Sequence, residues 1–172
     1  MTKGPTLIAS NTVGSGTPTN ITFSSIPQTY TDLLVKVSLR GTQTPNHYLG
    51  WHMDINSSTS NFTNLYLQGG GSGTPGSGSS AQYMGAIPGG GGTANTFSNS
   101  EIYIPNYTSS NYKSFSVDST GEGNETLAFA NFIAGLWSNT AAITSLTIYP
   151  DYNSGVGIAQ YSTFTLYGIS NS

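Results

Sequence analysis

The chain has 172 residues, a formal net charge of −3 and only 6% charged side chains, against ~25% in ordinary soluble domains. Its basic residues, Lys3, Lys36, Arg40 and Lys113, are scattered, which disfavours a nucleic-acid partner or an electrostatic membrane surface, because both need clustered cations. Cysteine is absent, so disulfides and thiolate metal sites are excluded, and no apolar run approaches the ~18 residues of a bilayer-spanning helix.

The length suits one domain over residues 1–172, able to bury roughly 70% of its unfolded surface. Polarity comes from Ser, Thr, Asn, Gln and Gly. Solubility usually leans on charge, so this composition fits a protein held in an assembly, or one exposed to the outside world. Met1 to Pro5 reads as a short N-terminal arm. A charge stands there with no apolar segment after it, so no secretory signal is expected.

Strands are expected at Thr6–Ser10 and Asn20–Ser24, separated by turn-rich sequence. Asp32–Arg40 alternates most cleanly, with Leu33, Val35, Val37 and Leu39 on one face and Lys36 and Arg40 on the other. Tyr48–Ile55 follows, with Leu49, Trp51, Met53 and Ile55 inward. Asn61–Gln68 is expected to turn Leu65 and Leu67 inward. Gly69–Ser80 reads as a flexible low-complexity loop. Ala81–Ile87 is a further strand, followed by the Gly-rich tract at 88–93.

Glu101–Val117 carries a hairpin signal. Ile102 and Ile104 share one face, Phe115 and Val117 share another, and Pro105 closes the first strand because it cannot donate to a ladder. Thr126–Ser138 is apolar on both faces, so it is expected to be covered on both sides. Ala141 and Ala142 suggest a short helical turn. Ile143–Tyr149 and Tyr161–Ile169 close the series. About ten short strands without a long helix predict an all-β fold, a two-sheet antiparallel β-sandwich. A jelly-roll-like path is preferred because good strands near both termini can pair at one edge.

Chemistry-bearing motifs are weak. Gly71-Ser-Gly73-Thr-Pro-Gly76 has the letters of a dinucleotide fingerprint, but no helix can follow it to hold a pyrophosphate. His47, His52 and Asp54 sketch a metal site without enough ligands, and a polar outer face is the simpler reading. Asp151-Tyr-Asn153-Ser-Gly155 opens like a calcium loop but lacks the downstream Glu. Asp118, Glu122 and Glu125 are expected to cluster in a loop, with no positioning device for glycoside hydrolysis. No catalytic residue, cofactor or metal is expected, and the chain is not read as an enzyme. The eleven Tyr and two Trp suit sugar stacking and protein interfaces alike, or simply the rim of a core. Glycosylation sequons at Asn20, Asn56, Asn61, Asn106 and Asn124 are mostly expected from composition.

Four segments together carry a resemblance: Phe23-Ser-Ser-Ile-Pro-Gln-Thr-Tyr-Thr-Asp-Leu-Leu-Val, Glu101-Ile-Tyr-Ile-Pro-Asn-Tyr-Thr-Ser-Ser-Asn-Tyr-Lys-Ser, Ala134-Gly-Leu-Trp-Ser-Asn-Thr-Ala-Ala-Ile-Thr-Ser-Leu and Tyr161-Ser-Thr-Phe-Thr-Leu-Tyr-Gly-Ile. They resemble small virion structural proteins of tailed bacteriophages, cyanophages among them. The resemblance implies a jelly-roll-like domain in a phage particle, assembled in the host cytoplasm, on the capsid or in the tail. The expectation is a capsid decoration (cement) protein, a trimer or other small oligomer that bridges major capsid protein subunits. The alternative is a tail-fibre module binding host glycans. Candidate interface residues are Lys3 and Pro5 of the arm, Lys36, Arg40 and Tyr103 on outer faces, and Tyr107, Tyr112 and Lys113 in and beside the hairpin turn.

Overall fold

The computed structural model describes residues 4–71, 76–79, 82–125, 127–150 and 156–170. Among the described residues there are twelve strands and no helix: β1 Thr6–Thr12, β2 Ile21–Phe23, β3 Asp32–Ser38, β4 Tyr48–Ile55, β5 Phe62–Gly70, β6 Gly76–Ser79, β7 Tyr83–Pro88, β8 Asn99–Ile104, β9 Lys113–Glu122, β10 Ala128–Trp137, β11 Leu146–Pro150 and β12 Thr163–Ile169. They form an eight-stranded antiparallel sheet, β1-β12-β3-β8-β9-β10-β5-β6, and a four-stranded one, β2-β11-β4-β7.

Eight of these strands pair in a nested series, β4 with β7, β3 with β8, β2 with β11 and β1 with β12. That is one long folded hairpin wrapped into two sheets, the path of a jelly roll. The terminal strands β1 and β12 do pair, with β1 at the sheet edge. Two insertions, β5–β6 and β9–β10, join each other through β10–β5 pairing and extend one sheet beyond β8.

The core lies between the sheets. Period-two alternation sends Leu33, Val35 and Val37 of β3, Ile102 and Ile104 of β8, and Phe164 and Leu166 of β12 against Trp51, Met53 and Ile55 of β4 and Leu146 and Ile148 of β11, all buried. The extension curls over the β7 edge. There Nε1 of Trp51 donates to Oγ of Ser119, 3.3 Å away, and Ser119 also bonds Ser100 at 2.8 Å. Gly85, at φ +125°, makes this approach possible, since a Cβ on it would stand 2.3 Å from Oγ of Ser119.

Several expectations are corrected. The Gly-rich stretch 69–80 is not simply a loop: β5 runs to Gly70, and Gly76–Ser79 forms β6, paired along β5. Small residues suit this position, because Tyr66 lies across Gly78, where a Cβ would meet its hydroxyl at 2.5 Å. The tract at 88–93 is packed rather than loose. A Cβ on Gly89, Gly90 or Gly91 would stand 2.1–2.4 Å from a carbonyl of residues 42–46. Ala141 and Ala142 form no helical turn. Asp118 and Glu122 lie on β9, not in a loop. Four sequon residues, Asn56, Asn61, Asn106 and Asn124, take left-handed φ of 50–67°, the turn conformation that asparagine tolerates best after glycine.

Candidate assembly interface

The outer face of the eight-stranded sheet collects the alternate residues that the core does not use. The register sets them in rows. One row runs Lys36, Glu101, Asp118, Phe132 and Leu67; the next carries Asn99, Thr120, Ala130 and Gly69. Polarity therefore changes across the sheet. On the β3–β8–β9 side, Lys36 Nζ pairs with Glu101 Oε2 at 3.2 Å above a groove of about 370 Å³ that includes Asp118 and Thr120. Both partners are about half exposed, so the pair contributes little to stability. On the β10–β5 side a second hollow of about 370 Å³ is lined by Leu67, Gly69, Asp118, Ala130 and Phe132.

This second half is unusual. Leu65, Leu67 and Phe132 are 67%, 62% and 59% exposed, and Ala130 and Ala134 beside them are exposed too. Covering the exposed parts of the three large side chains would contribute about 3–5 kcal/mol, at ~1.5–3 kcal/mol for each fully buried side chain. The sequence expectation that β10 is covered on both faces is thus corrected. Asn131, Ile133, Gly135 and Trp137 face inward and are buried, while the Phe132 face is open. Leu65 and Leu67 were expected inward and are outward. Phe62 enters the core, and Asn64 points inward with its Nδ2 donating to the Tyr83 carbonyl at 2.9 Å. Contact with the β7 backbone calls for an amide there, and this overrides the hydrophobicity of the alternate leucines.

The candidate interface residues divide. Lys36 and Tyr103 lie on this outer face. The Tyr103 hydroxyl donates to Oδ2 of Asp32 at 2.7 Å, and that bond to a carboxylate, with burial, raises its pKa. Pro5 is exposed just before β1, and Tyr112 is exposed in the β8–β9 turn, so both stay accessible. Lys3 lies outside the described residues, as does the calcium-like stretch 151–155.

Three candidates are buried instead. Arg40 sits inside, its guanidinium donating to the carbonyls of Gly92 (2.9 Å), Thr93 (2.6 Å) and Thr96 (3.2 Å), and burial lowers its pKa. Lys113 is 1% exposed; its Nζ donates to the Asn111 carbonyl at 2.6 Å, and burial lowers its pKa as well. Tyr107 is fully buried with its hydroxyl donating to the Pro27 carbonyl, so it anchors the turn rather than presenting it. Each satisfies carbonyls that a folded loop would otherwise leave unpaired. Polarity in the sequence cannot distinguish that role from a surface one.

The histidines stay apart. His47 is exposed and meets Oε2 of Glu125 through Nδ1 at 2.6 Å. Glu125 also accepts from the Thr93 amide at 2.8 Å, and these contacts, His47 first, lower its pKa. His52 is buried and stacked on Tyr149, with centroids 5.7 Å apart and an interplanar angle of 21°. Oδ1 of Asp54 accepts from Gln82 at 2.5 Å and from the Tyr149 hydroxyl at 2.9 Å, while burial raises its pKa. Tyr66 and Tyr83 continue this strip of rings, their centroids 5.3 Å apart. Burial pushes Tyr83 up to about 12. Among the described residues no group of three acidic, His or Cys side chains is placed to hold a metal ion.

Sequence reasoning missed Phe132, Leu65, Leu67 and Ala130 as surface residues. The apolar character of both β10 faces was a visible signal. No protein-family model, curated protein or solved structure matches the chain significantly.

Proposed function

We propose that this chain is a structural protein of a tailed-phage virion, a capsid decoration protein that uses the outer face of its larger sheet for assembly. The observation that carries the reading is an open apolar face, Leu65, Leu67 and Phe132, on a chain with 6% charged residues. Large exposed apolar patches mark interaction surfaces, and the resemblance in four segments supplies the setting. Binding only to the assembled shell would stabilise that shell by mass action. The test is to locate and count the chain on purified particles. Copies in the range of the coat protein, in regular positions on the shell, support the reading; a few copies confined to the tail overturn it.

A tail-associated glycan-binding module is the second reading. It is favoured by the half-buried rings Tyr149, Tyr83 and Tyr66, set around buried His52 beside the Asp54 carboxylate, since rings next to polar acceptors suit sugar recognition. A glycan array with wild-type protein and Tyr66→Ala tests it. Binding lost in the variant supports this reading, and no binding removes it.

A further inference from the structure

We propose that a second copy of this chain covers the β5–β10 face, in a two-fold dimer whose axis crosses the strands at the level of Asn131 and Gln68. The proposal rests on the reading of this face as an assembly surface and names its occupant.

The argument begins with the register. Phe132 and Leu67 stand side by side as one large pair. One step along the strands, Ala130 and Gly69 form a small pair, at the hollow of about 370 Å³. An isologous interface requires that residue i meets j while j meets i. A two-fold axis running across the strands midway between these rows meets that requirement. It lays Phe132 on the partner's Ala130 and Leu67 on the partner's Gly69, and the reverse contacts follow by symmetry. Packed sheets need large side chains opposite small ones. Here the face carries both its knobs and the hollows for them.

The same axis handles the flanking polar rows. Asp118 shares the Phe132 row and Thr120 the Ala130 row. The operation therefore brings the Asp118 carboxylate opposite the partner's neutral Thr120, and Glu101 opposite the partner's Asn99, an amide donor. No like charges are opposed.

Gly69 gives an independent indication. A Cβ built there meets nothing within 4 Å among the described residues, and its φ is not in the left-handed region. Glycine in a strand interior weakens the strand, and no described residue requires it there. A partner's Leu67 would. The area is also sufficient. The six strands from β3 to β6 hold four to ten residues each; at ~3.4 Å per residue and ~4.8 Å between strands they give a face of roughly 750 Å². A standard interface buries about 800 Å² per partner.

The test is sedimentation equilibrium on the full chain, with thermal melts as a folding control. Wild type is expected to be a dimer at micromolar concentration. Gly69→Leu and Ala130→Phe fill the hollow and are each expected to weaken dimerisation at least about tenfold, the scale of a central interface position, with the fold intact. The exchange Phe132→Ala with Ala130→Phe swaps knob and hole and is expected to restore the dimer. A monomeric wild type at about 100 μM overturns the proposal, as does a dimer indifferent to Gly69→Leu and Ala130→Phe. If a monomer binds particles and Phe132→Asp abolishes that binding, the face belongs to a shell partner; the dimer proposal then fails while the decoration reading stands. A dimer with no place on the shell does the reverse.

Discussion

Nη2 of Arg40 donates to the carbonyl of Gly92 at 2.9 Å, so the Gly-rich tract at 88–93 is tied to a buried cation. Arg40→Ala leaves the part-buried carbonyls of Gly92, Thr93 and Thr96 without their guanidinium donors and should cost about 1.5–3 kcal/mol. Arg40→Lys should recover only part, because one ammonium cannot reproduce the planar fork. Urea denaturation of the two variants gives both numbers, and equal stability of Arg40→Ala and wild type would contradict this role.

Two carboxylates should bend the pH dependence in opposite directions. Glu125 has a folded pKa below its ordinary value of 4.5, so the unfolded chain holds its proton more tightly. Its stabilisation is present above about pH 4.5 and is lost as pH falls through the lower, folded value. Asp54 has a folded pKa above 3.8. Its contribution is fully present below the unfolded value and is lost as pH rises through the folded one. Glu125→Gln should therefore flatten the acid limb of a stability–pH curve. Asp54→Asn keeps an oxygen for Gln82 and Tyr149 and should be no less stable than wild type at pH 7. Chemical denaturation at stepped pH separates the two.

Gly85→Ala should be among the most destabilising single-methyl changes in the chain. The new Cβ would stand 2.3 Å from Ser119 Oγ and 2.6 Å from Ser119 Cβ, at a φ of +125° that L residues avoid. Strain and overpacking together predict a loss of about 2–4 kcal/mol. Adding Ser119→Ala should relieve only the overpacking caused by the hydroxyl. A double-mutant cycle by thermal melting measures the coupling.

Tyr107→Phe removes the donor to the Pro27 carbonyl and should cost about 1–2 kcal/mol, while Tyr107→Ala adds a core cavity and should cost about 3–5 kcal/mol. Tyr112→Ala, at an exposed position of the same turn, should stay within about 0.5 kcal/mol of wild type. The contrast, read from denaturation midpoints, separates the anchor of the turn from its surface.

Much of the fold was legible because alternation reports burial directly. The faces of β3, β4, β8, β9, β11 and β12 follow from which alternate positions are apolar, and all point as expected. The β5 face did not. Its inward Asn64 answers a carbonyl on β7, about twenty residues later in the chain, and only packing creates that need. The same holds for Arg40 and Lys113. A polar residue on a strand or at its end reads as surface until the loop that needs its hydrogen bonds is in place.

The sequence by itself determined an all-β sandwich, the location of most strands and the scarcity of charge. These are local and compositional properties, carried by period-two patterns and residue type. Tertiary structure alone decided that the two insertions pair with each other, that the second glycine tract is packed, and that Leu65, Leu67 and Phe132 share one open face. Which side of a strand meets water is settled by its partners and by the edge it curls over. Those depend on distant segments meeting, a relation that no local pattern of residues encodes.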